Sequence, residues 1–432
     1  MNFLFWRCMI RNHVNLRAPP NFCTTATTMA SATSILKCDP SSITFSRDGQ
    51  PHFSDKNTET AIDIAARQLT ESLTPVVVPT ETVYGLAAVA TDTDAVFRIF
   101  STKGRPADNP LIVHVSSPAM LSTLLPKNYA IPPSYRILMN RFWPGALTLL
   151  FPREPSSVPD IVTAGQPTVA VRMPSHPVAR ALIAKANIPL AAPSANSSGK
   201  PSPTRADHVY RDLVGKVRLI LDGGPCDIGL ESTVADGLHP DGDIRILRPG
   251  GVTVEDIEKA LEDSKYDLGR VPKVLVHKRD YADTTIEQVP TTPGMKYRHY
   301  SPSIPVILLL THSQPPPDQT PIDAASYFAT LAERLPGSDI RKAGLLLLDD
   351  STLSHLTLPT NIEWLRFPLG SSADPATIAQ RLFDGILTLE REGVEIIFVE
   401  EVDQGREGLA VMNRIRKAAS EAHWISRPLN SP

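Results

Sequence analysis

Residues 79–115 read PTETVYGLAAVATDTDAVFRIFSTKGRPADNPLIVHV. The run VVVP at 76–79 is apolar and ends in proline, which predicts a short buried strand. Thr80, Thr82 and Tyr84 then set hydroxyls just past a strand end, where open α/β sheets bind ligands. Gly85 permits close approach of a second backbone. An ordinary turn accounts for the same residues. Val96, Ile99 and Phe100 form a helical stripe, and Lys103 continues it into the last turn, where a lysine ordinarily complements the helix dipole. Arg105 follows, and Pro106 fixes the chain. Two cations two residues apart suit a triphosphate better than a dipole alone. In LIVHV, Leu111, Val113 and Val115 face one way and Ile112 and His114 the other. A histidine on a strand is more often structural than catalytic.

Working outward, Ile62, Ala65, Leu69 and Leu73 predict an amphipathic helix over 58–73. Strands are expected at 146–151, 168–173, 218–224 and 245–251, and helices at 177–187 and 252–262, the last capped by Thr253 with Asp256 three residues on. Interleaved short strands and helices predict an α/β domain with a mixed sheet over 54–265. Residues 266–303 carry scattered charge, several prolines and the segment KYRHYSP, and read as a linker. From 304 to 432, apolar strands alternate with helices (PVILLL, ASYFATLAERL, AGLLLLDD, ATIAQRLFDGILTLEREG, VEIIFVEEV, AVMNRIRKAASEA), which predicts a smaller Rossmann-like parallel α/β domain. That half lacks G-x-G-x-x-G, so its sequence offers no nucleotide signature.

Bulk properties narrow the function. A net charge of −3 gives no global basic field for nucleic acid. The cysteines, Cys8, Cys23, Cys38 and Cys226, form no C-x-x-C pair, so neither a zinc site nor a disulfide framework is indicated. No apolar run approaches bilayer length, and no membrane partner is expected. Residues 1–53 read as a disordered tail. Its first 38 residues hold Arg7, Arg11, Arg17 and Lys37 with no Asp or Glu, the composition of a mitochondrial transit peptide; a plain unstructured tail is the alternative. Met29 is a second candidate start. A cytoplasmic protein with an additional mitochondrial form is the expectation.

General catalytic motifs are missing. GKP at 199–201 is no Walker A loop, and G-x-S-x-G and H-E-x-x-H do not occur. The chemistry must rest on scattered polar residues. AAPSANSSGKPSPT at 191–204 opens from a strand into a loop of hydroxyls and amides suited to phosphate or carboxylate, or simply to solvent. Arg172 in VAVRMP and Arg248 in ILRPGG lie in or at the end of apolar strands, and Ser232 lies in GLESTV. A buried arginine needs an anionic partner, either an internal carboxylate or a ligand.

Taken in order, TETVYGL, KGRP, PLIVHV, FWPGALTLL, VAVRMP, PSANSSGKPSPT, ESTV and ILRPGG resemble the YrdC-like threonylcarbamoyl-AMP synthases. KYRHYSP and the trailing α/β half are similar to the longer, two-domain form of that family. The resemblance implies that Thr82, His114, Arg172, Ala192 and Ser232 hold L-threonine. It implies that Lys103, Arg105, Asn109, Thr168, Ser194, Asn196, Ser202 and Arg248 bind ATP, with Lys103 and Arg105 catalytic. Tyr297 would fold back as a gate; whether it, His299 or Tyr300 touches ligand stays open. Magnesium would arrive with ATP as substrate, and no resident metal is implied. Threonine, bicarbonate and ATP would give threonylcarbamoyl-AMP and pyrophosphate. The product would pass to a complex that modifies adenosine beside a tRNA anticodon, with weak binding of tRNA or double-stranded RNA as an accompanying property.

Two other readings compete with this one. A pure RNA-binding module conflicts with the net charge and the lack of an aromatic–basic stripe. A carbamoyl transferase of the hydrogenase-maturation type would carry C-x-x-C zinc fingers, which are not in this sequence.

Overall fold

Val76–Val78 and Gly85–Val89 pair antiparallel with Val77 opposite Leu86, so PTETVY is the connection between neighbouring strands. The computed structural model describes residues 32–281, 299–331 and 340–426. The pair belongs to a mixed sheet of eleven strands. From edge to edge these are Ser34–Lys37, Leu219–Asp222, Val76–Val78, Gly85–Val89, Leu190–Ala191, Ile112–His114, Thr168–Arg172, Leu147–Pro152, Thr233–Asp236, Ile244–Arg248 and Val274–Val276. β-branched and aliphatic side chains fill both faces, as a sheet covered on two sides requires.

Register places the chemistry. His114 aligns with Arg172, Arg172 with Thr148, Thr148 with Val234, and Val234 with Arg248. Residues opposite one another share a face, and neighbouring strands lie about 4.8 Å apart. One row therefore carries a histidine and two arginines across five strands.

The helices follow their stripes. Lys56–Glu71 buries Ile62, Ala65 and Leu69 and is capped by the Asp55 carboxylate, which accepts from the Asn57 and Thr58 amides. Thr93–Lys103 stops where Gly104 takes a left-handed φ of 60°. Val254–Asp263 carries the expected capping box between Thr253 and Asp256.

The second sheet has six strands, all parallel: Ile322–Asp323, Glu421–Ser426, Val306–Leu310, Ile396–Glu400, Lys342–Leu347 and Glu363–Pro368. One face packs on helices Pro375–Arg391 and Gly408–Ala418, the other on Ala324–Ala329. This is the Rossmann-like arrangement read from the sequence. None of the described helices is long and apolar enough to cross a membrane.

Three readings need correction. Residues 32–53 are not tail: Ser34–Lys37 pairs in parallel with Leu219–Asp222, and Ile43–Phe45 pairs with Pro51–Phe53. SILK is a half-exposed edge strand too short to show a period. Residues 266–303 are not all linker, because Val274–Val276 joins the sheet edge beside Ile244–Ile246. The last helix ends at Ala418, and the residues after it form a strand, Glu421–Ser426, beside Ile307–Leu310.

Candidate active site

The PTETVY connection is held from within. The Thr80 hydroxyl donates to Val83 O at 2.6 Å and lies 2.8 Å from the Thr82 hydroxyl. Tyr84 is buried and donates to Gly224 O at 2.6 Å. A side chain at Gly85 would press on Ala192 Cβ at 3.3 Å, which is why a glycine stands there. The close approach brings TETVYG and the PSAN loop together, with Gly85 bridged to Ser194.

Arg172 reaches this connection from the sheet. Its Nη1 donates to Thr82 Oγ1 at 2.9 Å, its Nη2 to Glu81 Oε1 at 2.5 Å and its Nε to Gly145 O at 3.1 Å. Both charged partners are buried. The second Glu81 oxygen accepts the Ser175 and His176 amides, at 3.1 and 3.4 Å. The internal carboxylate that a buried arginine requires is thus Glu81, and part of the guanidinium's donor set is left over for a ligand. His114, beside Arg172 in the row, donates through Nδ1–H to Ile112 O at 3.2 Å. Burial first, and then the Arg172 charge, push its pKa down to about 3, so the ring is neutral.

The cations of KGRP behave differently from a dipole cap. Lys103 Nζ leaves the helix and donates to Ser194 O at 2.5 Å and to Asn196 O. It ties the KGRP turn to the PSAN loop with carbonyls alone, and burial followed by the neighbouring Arg105 pushes its pKa well below the ordinary lysine value. Arg105 donates to Asn109 O and, at 2.9 Å, to Pro110 O. Burial, then Arg248, lower its pKa to about 10. Arg248 donates to Ser232 O at 2.8 Å and lies 3.3 Å from the Ser232 hydroxyl, which meets Thr148 Oγ1 at 2.8 Å. Two buried arginines lining one region favour an anion there.

One cavity collects these groups. Thr82, Arg105, His114, Arg172, Ala192, Ser194, Ser232 and Arg248 line it, together with Glu231, His299 and Tyr300. It encloses about 50 Å³, against roughly 300–1,000 Å³ for ligand pockets in general. His299 and Tyr300 contribute to its lining. Tyr300 is buried against Phe383, with ring centroids 5.3 Å apart, and holds a left-handed φ of 67°. His299 is driven to a pKa of about 3 by burial and then by Arg105.

Other expected residues lie around rather than in this cavity. Lys103, Asn109 and Asn196 form the buried support behind Arg105 and Ser194. Ser202 donates to Glu231 at 2.5 Å. Thr168 begins the strand that Arg172 ends, so it sits at the far end of that strand, roughly 13 Å along. Tyr297 lies outside the described residues. Among the described residues, no group of three or more His, Cys, Asp or Glu side chains is arranged to hold a metal ion.

The sequence reading missed Glu81, Glu231 and Arg414. Glu231 accepts from Ser202 and, through its other oxygen, from Arg414 Nε at 3.0 Å. Burial raises the Glu231 pKa, but Arg414 and then Arg248 outweigh it and hold it at about 2. Glu81 lies inside TETVYGL and Glu231 beside Ser232, so motif position was the available signal; Arg414 had none.

Residues 70–250 match the Sua5/YciO/YrdC family, described as "Telomere recombination", and residues 252–420 match "Threonylcarbamoyl-AMP synthase, C-terminal domain". The chain is 43% identical over 383 residues to a threonylcarbamoyl-AMP synthase of Schizosaccharomyces pombe, covering 84% of this chain and 89% of that one. It is 41% identical to the Bacillus subtilis protein of the same name, covering 79% and 88%. Pyrococcus abyssi Sua5 complexed with L-threonine superposes with a TM-score of 0.70 at 38% identity, covering 91% of this chain and 99% of that one. A variant of the same archaeal protein, with an adjacent histidine and tyrosine replaced by alanine, gives a TM-score of 0.71 at 35% identity, covering 92% and 100%.

Proposed function

The chain belongs to the Sua5/YciO/YrdC family in its two-domain form, and from that premise we propose that it is an L-threonylcarbamoyladenylate synthase. The observation that carries the reading is the row His114–Arg172–Arg248, which lines one cavity with Thr82, Arg105 and Ser232. A relative at 38% identity is solved with L-threonine.

Threonine's carboxylate meets the remaining donors of Arg172, with Thr82, Ala192, Ser232 and neutral His114 around its side chain and amine. An uncharged imidazole there does not repel the amine. The amine, once deprotonated, captures carbon dioxide derived from bicarbonate and forms a carbamate. A carbamate oxygen attacks the α-phosphorus of ATP, the bond to the β-phosphate oxygen breaks, and pyrophosphate leaves with that electron pair. No protein nucleophile takes part. Arg105 and Arg248 stabilise the charge on the phosphates; Lys103, Asn109, Ser194, Asn196 and Ser202 shape the loop that receives them. Thr168 is assigned to the nucleotide by resemblance alone. Magnesium arrives on the ATP phosphates as part of the substrate.

His299 and Tyr300 leave the cavity wall to admit ATP and return to exclude water from the mixed anhydride. The product then serves a transferase complex that forms threonylcarbamoyladenosine beside a tRNA anticodon. The working compartment is the cytoplasm, and the acid-free segment 1–38 supports a mitochondrial form as well.

The deciding experiment mixes the full chain with ATP, threonine and bicarbonate. Pyrophosphate release that needs all three supports the synthase. Salt-sensitive RNA binding without turnover would instead favour an RNA-binding module.

A further inference from the structure

Arg414 lies on helix Gly408–Ala418 of the second α/β layer, yet its whole side chain is buried against the first. Its Nε donates to Glu231 Oε2 at 3.0 Å, and its Nη1 donates to Pro249 O, the residue after Arg248. Its guanidinium carbon lies 5.6 Å from the centre of the Tyr300 ring. One side chain from the second layer thus touches a cavity-lining carboxylate, the backbone beside a cavity-lining arginine, and a cavity-lining tyrosine. Its Nη2 is buried without a hydrogen-bond partner among the described residues. A fully buried guanidinium with an unused donor is a poor device for stability alone.

Glu231 explains what the contact accomplishes. It is buried, adjoins Ser232, and lies in the field of Arg248 as well as Arg414. Its oxygens are divided between Ser202 and Arg414. Without Arg414, half of that carboxylate loses its partner, and Arg248 remains as a cation in whose field it lies. A carboxylate closing on Arg248 would compete directly with a nucleotide phosphate.

Resting on the synthase reading above, we propose that Arg414 is a positioning residue for the nucleotide end of the site: it holds Glu231 away from Arg248 and seats Tyr300 in the cavity wall. The C-terminal layer thereby sets ATP affinity without touching ATP. Threonine, bound at the Glu81–Arg172 end, is insulated from it.

The test compares Arg414→Met, Arg414→Lys, Glu231→Gln and the Arg414→Met/Glu231→Gln pair in the full chain. Pyrophosphate release gives the two substrate KM values, and calorimetric titration with ATP gives affinity without turnover. Arg414→Met should raise the ATP KM and weaken ATP binding about tenfold, while the threonine KM moves by less than about twofold. Arg414→Lys should fall between, because lysine keeps the charge but not the fork. Adding Glu231→Gln to Arg414→Met should restore most of the ATP affinity, which a purely structural role would not produce. Unchanged ATP affinity, equal rises for both substrates, or additive losses in the pair would overturn the proposal. If Arg414→Met does not fold, Arg414→Lys with and without Glu231→Gln reads the same coupling. A wild-type chain that binds ATP but never releases pyrophosphate would sink the synthase reading, and the calorimetric comparison would still decide the role of Arg414.

Discussion

Arg172 and Glu81, 91 residues apart in sequence, meet at 2.5 Å with both side chains buried. The pair lies beneath the Thr82 hydroxyl and fixes the guanidinium from one side. Removing one partner of such a pair leaves an uncompensated buried charge, which costs about 3–5 kcal/mol.

Arg172→Ala should therefore damage two things that can be separated. Urea unfolding should show a loss of about 3–5 kcal/mol, and threonine use should fall. Adding Glu81→Gln should recover stability but not the threonine KM. Recovery of both would make Arg172 structural only.

Arg105→Ala should leave the fold intact and lower kcat/KM for ATP by about 10²-fold, the usual scale for losing one preorganised charge-stabilising donor. Pyrophosphate release at varied ATP measures it. Kinetics like those of the wild type would exclude Arg105 from the reaction.

Tyr300→Ala should uncouple the reaction. With the cavity open to water, pyrophosphate release should continue while less threonylcarbamoyl-AMP accumulates and more AMP appears. Chromatographic quantification of the three products reads the ratio, and an unchanged ratio would rule out a water-excluding role.

Stability should decline in mild acid. His114 and His299 each have a folded pKa of about 3, against an ordinary value of 6.5. Below pH 6.5 the unfolded chain binds protons at these sites that the folded chain refuses, so unfolding takes up protons and stability falls with pH. The histidine contribution is complete above the unfolded value and is lost progressively as pH falls toward about 3. Glu231, held at about 2 against an ordinary 4.5, adds to the loss only below the latter value. Urea unfolding between these two limits should show the slope, and His114→Gln or His299→Gln should each flatten it. A variant that leaves the slope unchanged would contradict the burial of that ring in neutral form.

The sequence was most legible where local pattern and tertiary role coincide. The stripe ending in Lys103, the strand carrying His114 and the capping box at Thr253 are set by neighbours within a few residues. The set Thr82, His114, Arg172, Ser232 and Arg248 was assigned by ordered motifs, and one cavity unites them. Their alignment in a row was not readable, because register between strands depends on pairing across long separations. Glu231 and Arg414 were invisible for the same reason: 183 residues lie between them. Lys103 looked like a helix cap because only the folded chain brings the Ser194 and Asn196 carbonyls to its ammonium.

The edge strand Ser34–Lys37 limits how far the N-terminus could be trimmed without opening the sheet. Its partner, Leu219–Asp222, would become a bare parallel edge without it, and the Thr33 hydroxyl just ahead bonds Val217 O and the Gly215 amide. A peptidase that trims the chain before Thr33, or a ribosome that initiates at Met29, leaves that seam closed. A cut only a few residues later would unzip it and expose an adhesive margin to other chains. The permissible processing sites thus end where the first ladder begins.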